Sequence, residues 1–376
     1  MNIGRGRGKS DANRTKDYRS RCSRCLLPET FPGIQFDDNH VCNYCGSYEK
    51  KAKERGPAWE EGRRAWMEGI LRSKRGRRDH DCLVSYSGGK DSTYLLHLLK
   101  EEYGLRVLAY TCDTGFMSEA AHRNIEKTLA RLPVDHVWDS PGDDFYRRLY
   151  SHMLTHPGGK QCVKTVCGQC FKVTSMQAVR IAAERDIPLV AYGFSPAQFR
   201  GTRCYIRRIY LMGGFLYLRF LPNKSFPIGL HNEERRHFHL GLRDLRKMPV
   251  VLFPFQALDY DLHKINETVL SLGLIAPGDE HPLRSNCLIN LLMIELDSLR
   301  FKYNPYVTEF SQLVREGQID RQEWLELEDK IMDEIENRAF ERDKIDDVLE
   351  RLGLTDYYQR FITEALQGRE KSVSRR

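Results

Sequence analysis

The sequence contains no apolar run long enough to cross a membrane. The longest mostly apolar stretches, such as residues 211–218, are far shorter than the roughly 20 residues that a spanning helix needs. No apolar segment typical of a secretion signal lies near the start, so the sequence predicts a cytoplasmic protein without a membrane partner. In that compartment its 11 cysteines are expected to be mostly reduced.

The net charge of the chain is small and positive, and most of the excess positive charge lies near the N-terminus. The chain has 376 residues, with 59 lysines and arginines against 52 acidic residues. Residues 1–24 hold eight basic and two acidic residues, and thus account for +6 of the net +7. We expect residues 1–20 to be a disordered basic arm, either a solubilising tail or an arm that grips RNA. A nucleic-acid substrate is compatible with this charge but is not required by it.

From residue 81 onward, short apolar runs alternate with amphipathic segments. The predicted strands are 82–86, 107–111, 134–138 and 188–192, and the predicted helices are 92–103, 118–132, 143–155 and 171–185. This alternation predicts an α/β fold with a doubly wound parallel sheet. Between residues 200 and 246 the periodicity is poor, which indicates an excursion from the sheet.

The most informative motif is SGGKDS at residues 87–92, between a predicted strand and a predicted helix. Its glycines allow a tight turn whose N–H groups face phosphate oxygens, and the helix start adds partial positive charge. Lys90 adds a full charge, and Asp91 can align the donors or help to hold Mg²⁺. The spacing is neither that of a P-loop nor that of a dinucleotide fingerprint. The predicted phosphate contacts are Ser87, Gly88, Gly89, Lys90, Asp91 and Ser92, the alternative being a turn that binds nothing.

This motif resembles the SGGxDS loop of the PP-loop ATP pyrophosphatases, HUP-like adenine nucleotide hydrolases that split ATP between its α and β phosphates. The resemblance covers about residues 81–193 and implies ATP and Mg²⁺ as cofactors, with Lys90 and Asp91 as catalytic residues. In that family the end of the second strand lies beside adenosine. The resemblance therefore implies Asp113 as a nucleotide contact, the alternative being an Asp that caps a turn.

Four early cysteines have the spacing of a metal knuckle. The pattern CxxC, sixteen residues, CxxC is formed by Cys22, Cys25, Cys42 and Cys45. Thiolates in this arrangement suit a tetrahedral Zn²⁺ whose four protein ligands leave no open position, so the predicted role is structural. Two disulfides are the disfavoured alternative in a reducing compartment.

The sequence around this knuckle, and the position of the knuckle ahead of SGGKDS, resemble those of the N-acetyl sugar amidotransferases. Residues 310–317 (FSQLVREG) also resemble a sequence motif of that family. The resemblance implies replacement of an acetamido oxygen of a bacterial surface sugar by ammonia, supplied by a glutaminase partner. The family's Gly-Glu-Asn after the later strand is absent, because residues 193–198 read GFSPAQ.

A second set of cysteines follows the phosphate-loop motif. A CxxC pair joined by a distant third cysteine is similar to the tRNA thiolation enzymes, which hold a [4Fe-4S] cluster with three cysteines and leave one iron open for sulfide. The implied catalytic and cluster residues are Cys167, Cys170 and Cys287. The alternatives are a persulfide or redox pair, a second zinc site that includes Cys162, and reduced core cysteines.

These features divide the chain into five segments. We expect a basic arm, a zinc-binding knuckle, a linker helix, a PP-loop ATP pyrophosphatase domain and a helical C-terminal region, at residues 1–20, 21–47, 48–79, 80–260 and 261–376. His231, His237 and His239 lie among charged residues, so a solvated loop is favoured there over a metal site.

Three functions remain open on these residues. The first is adenylation of a substrate carbonyl oxygen followed by its replacement with sulfur, on a tRNA base or a small heterocycle and with a sulfur-donor protein as partner. The second is nitrogen transfer to an N-acetyl sugar nucleotide. The third is a non-catalytic nucleotide- or RNA-binding module. The presence of Lys90 and Asp91 in the loop disfavours this function.

Overall fold

The computed structural model describes residues 20–156, 166–198, 204–206, 211–216, 226–241, 243–280 and 286–373. The predicted basic arm lies outside this part of the chain except for Ser20, and so does Cys162. Among the described residues, no helix combines the length and the apolar character needed to cross a bilayer. The α/β fold with a doubly wound sheet is confirmed.

One sheet of six strands is present in the described ranges. The strands are β1 (Cys82–Ser85), β2 (Val107–Thr111), β3 (Asp135–Trp138), β4 (Leu189–Tyr192), β5 (Tyr205–Ile206) and β6 (Val250–Leu252). Their order is β3-β2-β1-β4-β6-β5, and every neighbouring pair is parallel except β5 with β6. The winding reverses between β1 and β4, which creates a crevice at the carboxyl ends of these two strands.

Helices cover both faces of the sheet and continue beyond it. In chain order they are α1 (Asn43–Glu54), α2 (Pro57–Lys74), α3 (Lys90–His97), α4 (Glu119–Arg131), α5 (Asp143–Thr155), α6 (Cys167–Glu184), α7 (Leu262–Ser271), α8 (Leu288–Phe301), α9 (Val307–Arg315), α10 (Arg321–Glu336), α11 (Arg342–Leu352) and α12 (Thr355–Val373). Ser118, Asp261 and Asp320 cap α4, α7 and α10, because their side chains accept free N–H groups of the first turn.

Alternate residues of the central strands enter different cores. Val84 and Ala191 pack with α2, α3 and α7 on one face, whereas Leu83 and Val190 pack with α6 on the other. Burial on both faces explains why these strands are continuous apolar runs in the sequence.

The segment predicted as one linker helix forms two helices, α1 and α2, separated at Gly56. Pro57 occupies the first turn of α2, where its missing N–H costs nothing. Met67 and Leu71, one turn apart, are fully buried in the core beneath the sheet. The segment is therefore packed onto the α/β domain by a narrow apolar stripe, rather than being a free linker.

The C-terminal helices form a core of their own that also includes α5. Leu292 and Met293 of α8 pack with Leu149 of α5 and Val348 of α11. In contrast, Ile265 of α7 belongs to the core shared with α2 and α3, so the α/β core continues past the predicted boundary at residue 260.

Candidate functional site

Residues 87–92 join β1 to α3 in the crevice at the carboxyl edge of the sheet. Gly88 has a φ of 75°, and a Cβ at this position would lie 2.5 Å from the carbonyl oxygen of Ala121. Only glycine meets both conditions without strain. Gly193, just after β4, approaches the backbone of Asp91 so closely that a Cβ would lie 3.0 Å away. The loop is thus confined on two sides, with the start of α3 facing the crevice.

Hydrogen bonds within the loop fix its shape. Ser92 Oγ donates to the carbonyl oxygen of Gly89 at 3.0 Å and accepts the N–H of Ser87 at 3.3 Å. The hydroxyl oxygens of Ser87 and Ser92 lie 3.2 Å apart. A loop held in this way presents its donors to an anion without reorganising, which is the condition for strong electrostatic stabilisation.

Asp91 lies between a cation and a phenol. Lys90 Nζ is 3.2 Å from Asp91 Oδ2, and the hydroxyl of Tyr260 donates to Asp91 Oδ1 at 3.0 Å. The side chains of Lys90 and Asp91 are only 13% and 15% exposed. Burial, reinforced by the charge of Asp91, raises the pKa of Tyr260 well above its usual value, so the phenol remains a donor at neutral pH.

A cavity of about 450 Å³ opens beside this loop, within the usual size range of small-molecule sites. Five loop residues line it, namely Ser87, Gly89, Lys90, Asp91 and Ser92. Cys167, Cys170 and Cys287 line the same cavity, together with aromatic side chains such as Tyr150, Phe171, Phe194, Tyr306 and Phe310. The structure therefore brings residues 87–92 and the second cysteine set onto one cavity.

The three cavity cysteines lie at the starts of two helices. Cys167 and Cys170 occupy the first turn of α6, and Cys287 directly precedes α8. Cys170 Sγ lies 3.3 Å from the hydroxyl of Tyr150, and Cys167 Sγ lies 3.8 Å from the sulfur of Met293. The three sulfurs are not gathered within 4.8 Å of one another, as the ligands of a single tetrahedral ion would be.

Burial determines the protonation of these thiols. It raises the pKa of Cys170 to about 11 and that of Cys287 to about 12. Cys112, which also lines the cavity and lies 2.9 Å from the hydroxyl of Tyr146, has its pKa raised by burial to about 12. As thiols these groups are weak nucleophiles at neutral pH, and a metal that bound them would have to displace protons.

The four early cysteines come together in a second, buried cluster. The sulfurs of Cys22, Cys25, Cys42 and Cys45 all lie within 4.8 Å of one another, and the Cys22–Cys45 and Cys25–Cys42 distances are 3.8 and 3.7 Å. Tetrahedral coordination with metal–sulfur bonds of about 2.3 Å places sulfurs about 3.8 Å apart. The group therefore fits a four-coordinate metal ion with no open position.

A buried arginine supports this cysteine group. Arg315, at the end of α9, places Nε 3.3 Å from Cys45 Sγ and a terminal nitrogen 3.7 Å from Cys25 Sγ. A cation that donates to metal-bound thiolates balances their negative charge and orients them. Arg315 thus places a positive charge against two of the four cysteine sulfurs.

Helices α9 and α10 hold the knuckle in other ways as well. Ser311 Oγ accepts the N–H of Leu26 at 3.2 Å, and Arg321 donates to the carbonyl oxygen of Cys22 at 2.8 Å. Phe310 and Leu313, on the same short α9, reach the cavity wall. The segment 310–317 therefore connects the knuckle to the cavity.

Asp113 and the three histidines considered above do not line the cavity. Asp113 Oδ1 accepts the N–H of Gly115 at 2.8 Å and closes a turn; it is not among the described residues that line the cavity. The three histidines do not assemble, since His231 is exposed near Glu234 whereas His237 lies 3.3 Å from Asp139.

The sequence did not point to three residues of the cavity wall. Tyr260 contacts Asp91, Asn286 Nδ2 donates to Ser87 Oγ at 3.3 Å, and the side chain of Glu309 is buried. None of the three lies in a recognisable motif. The sequence feature that could have indicated one of them is that Asn286 directly precedes Cys287.

The doubly wound sheet, with residues 87–92 at the carboxyl end of β1, is the arrangement that the sequence resemblance to the PP-loop enzymes implied. No family model matches the chain. It is 28% identical to an uncharacterized protein of Methanocaldococcus jannaschii, MJ1599, over 116 residues, which are 31% of this chain and 40% of the relative. The chain thus spans less than half the length of that relative.

Two solved structures are distantly similar to this chain. One is the U34-tRNA thiolase NcsA from Methanococcus maripaludis with its [4Fe-4S] cluster, with 15% identity, a TM-score of 0.32, and coverage of 82% of this chain and 88% of that one. The other is the NMN synthetase from Francisella tularensis, with 11% identity, a TM-score of 0.30, and coverage of 68% and 95%.

Proposed function

We propose that this protein is an ATP-dependent enzyme that forms AMP and pyrophosphate and replaces a carbonyl oxygen of its substrate with sulfur. The observation that carries the proposal is the shared cavity, which is lined by the phosphate loop and by Cys167, Cys170 and Cys287. A phosphate loop alone serves many reactions, whereas three cysteines that line the same cavity favour sulfur or cluster chemistry.

In the first step the substrate's carbonyl oxygen attacks the α phosphorus of ATP. The bond from that phosphorus to the bridging oxygen breaks, and its electron pair leaves with pyrophosphate. Lys90 and the N–H groups at the start of α3 would neutralise the charge on the departing phosphates. Asp91, oriented by Tyr260, would help to hold the Mg²⁺ that accompanies them.

In the second step a sulfur nucleophile adds to the activated carbon and AMP departs with the former carbonyl oxygen. Cys167, Cys170 and Cys287 would hold a [4Fe-4S] cluster, which when bound offers one iron without a protein ligand as a place for sulfide. The aromatic walls would exclude water, which would otherwise hydrolyse the adenylated substrate. The acceptor classes are a tRNA base and a small heterocycle, and a sulfur-donor protein would be the partner.

We further propose that the four early cysteines hold a structural Zn²⁺. The sulfur spacing of 3.7–3.8 Å and the donation from Arg315 support this assignment. Because the ion would have no open position, its contribution is to the folding of residues 21–47 rather than to the chemistry.

The metal content tests the sulfur proposal. We expect protein purified without oxygen to hold about one zinc per chain and about four irons with sulfide. Cys167→Ser should lose the iron and sulfide and keep the zinc, whereas Cys42→Ser should lose the zinc. Zinc alone in the wild-type protein would contradict the cluster.

Pyrophosphate release tests the ATP chemistry separately. Lys90→Ala should lower it by roughly 10²–10³-fold, as expected when a charge that stabilises the departing group is removed, while the fold is kept. Full ATP cleavage by this variant would contradict the assignment of the loop, and the absence of cleavage by the wild-type protein with any acceptor would favour a non-catalytic binding module.

Nitrogen transfer to an N-acetyl sugar is the second candidate. It is favoured by one observation, the docking of the knuckle on residues 310–317, which unites the two segments that resemble the sugar amidotransferases. Ammonium-dependent pyrophosphate release with an N-acetyl sugar nucleotide, by protein that holds zinc and no iron, would select this function over sulfur transfer.

A further inference from the structure

Asn286 connects the phosphate loop to a cavity cysteine. Its side-chain amide donates from Nδ2 to Ser87 Oγ at 3.3 Å. A Cβ added to Gly89 would lie only 2.2 Å from the same nitrogen, so the amide lies directly against the loop backbone. The amide thus covers the start of α3, where the phosphates of a nucleotide would bind.

The backbone around Asn286 is held on both sides. Its carbonyl oxygen accepts the N–H of Ser118 at 3.0 Å, and the N–H of Leu288 donates to the carbonyl oxygen of Phe116 at 2.9 Å. Between them, Cys287 pairs with Met117 in an antiparallel bridge. Residues 286–288 and 116–118 therefore form one short unit, so a shift of Asn286 is transmitted to Cys287.

We propose that Asn286 is a nucleotide-contact residue whose amide donates to a phosphate oxygen of bound ATP, and that this contact positions Cys287 relative to the phosphate loop. The inference rests on the proposed function, because it assumes that ATP binds at residues 87–92. An amide N–H is suited to this contact, since it donates to an anion without carrying a charge that would pair with Asp91. A carboxylate of the same shape at this position would instead repel the phosphates.

Substitution of Asn286 gives the first test. A hydrogen bond to a charged group contributes enough that we expect Asn286→Ala to weaken the binding of a non-hydrolysable ATP analogue about tenfold. Asn286→Asp should weaken it further, because the carboxylate faces the phosphates. Isothermal titration calorimetry measures both, with Asn337→Ala, at the exposed end of α10, as the control that should bind like the wild type.

Alkylation of Cys287 gives a readout that loss of stability alone would not produce. In wild-type protein that keeps its zinc but carries no iron, the ATP analogue should change the alkylation rate of Cys287, followed by peptide mass spectrometry, by several-fold. Asn286→Ala should abolish this nucleotide effect even at analogue concentrations that saturate the variant. Rates in the absence of nucleotide, together with the thermal unfolding midpoint, show whether the variant is folded.

The outcomes separate the two proposals. If the wild-type protein binds no ATP, both are overturned. If it binds and cleaves ATP while Asn286→Ala and Asn286→Asp match its affinity and its nucleotide-dependent alkylation, only the role of Asn286 is overturned. Weakened affinity with an unchanged nucleotide effect on Cys287 would overturn the coupling.

Discussion

Tyr260 is the residue whose function depends most clearly on a single atom. Its hydroxyl donates to Asp91 Oδ1 at 3.0 Å, opposite the ion pair with Lys90. Tyr260→Phe keeps the ring and removes that donor, so the carboxylate loses its orientation. A hydrogen bond to a charged partner is worth roughly 1.5–3 kcal/mol, and we expect kcat/KM for pyrophosphate release to fall about tenfold or more.

Kinetics at varied MgATP concentration measure this effect. Tyr103→Phe, outside the cavity-lining residues, is the matched control and should leave the kinetics unchanged. If Tyr260→Phe also behaved like the wild type, Asp91 would not need the phenol for its function.

Two glycines should respond in opposite ways to a single methyl group. Gly88→Ala forces a positive φ on a side chain and sets its Cβ against Ala121, so we expect about 1–3 kcal/mol of destabilisation and loss of nucleotide binding. Gly62 lies inside α2 with open space around it, and Gly62→Ala should stabilise by about 0.5–1 kcal/mol. Denaturant unfolding measures both, and equal effects would contradict the packing of the loop against α4.

Sequence patterns located the loop and both cysteine sets but not the residues that hold them. SGGKDS and CxxC are each recognisable within a few consecutive residues, so the local pattern is sufficient to find them. Tyr260 and Asn286 act through contacts with residues more than 150 positions away, at Asp91 and Ser87, and no local pattern encodes such a contact.

Among the elements, α9 has the most consequential position. Arg315 and Ser311 contact the knuckle, and Phe310 and Leu313 reach the cavity wall. If a chelator removes the knuckle metal, residues 21–47 lose the ion that organises them, and α9 loses its docking partner. We expect faster amide hydrogen exchange in α9 as well as in the knuckle.

Hydrogen exchange followed by mass spectrometry can resolve these segments. Helix α5, which packs against α8 and α11 and contributes none of the described residues of the knuckle core, is the internal reference and should keep its protection. Faster exchange confined to residues 21–47 would show that the knuckle and the cavity are independent.

Helices and strands were predicted correctly where the spacing of apolar residues along the sequence is regular. The bounds of β2 and α5 agree with the predicted 107–111 and 143–155. Helix α6 begins at Cys167 instead of residue 171, because the glycine of CGQC favoured a loop. The two-residue β5 and three-residue β6 were missed, since strands this short within poorly periodic sequence give no detectable alternation.

For the whole molecule, the structure bears on whether the C-terminal helices are separable from the α/β domain. Phe145 and Leu149 of α5 are fully buried in a core built largely from α8, α10 and α11, and Val173 of α6 lies in the same core. Deletion of residues 277–376 would expose these side chains to water, at a cost of about 1.5–3 kcal/mol each. We therefore expect the truncated chain to lose cooperative unfolding and to aggregate.

Thermal unfolding followed by circular dichroism, with limited proteolysis as a second readout, tests this expectation. The matched control ends at residue 365, which removes only the last part of α12 and keeps Tyr358 and Ile362 in the core. The control should unfold in one transition near that of the full chain. A truncated chain that unfolds cooperatively and still binds ATP would show that the α/β domain is complete without α8. Cys287 would then belong to an accessory region rather than to the folding unit that contains the phosphate loop.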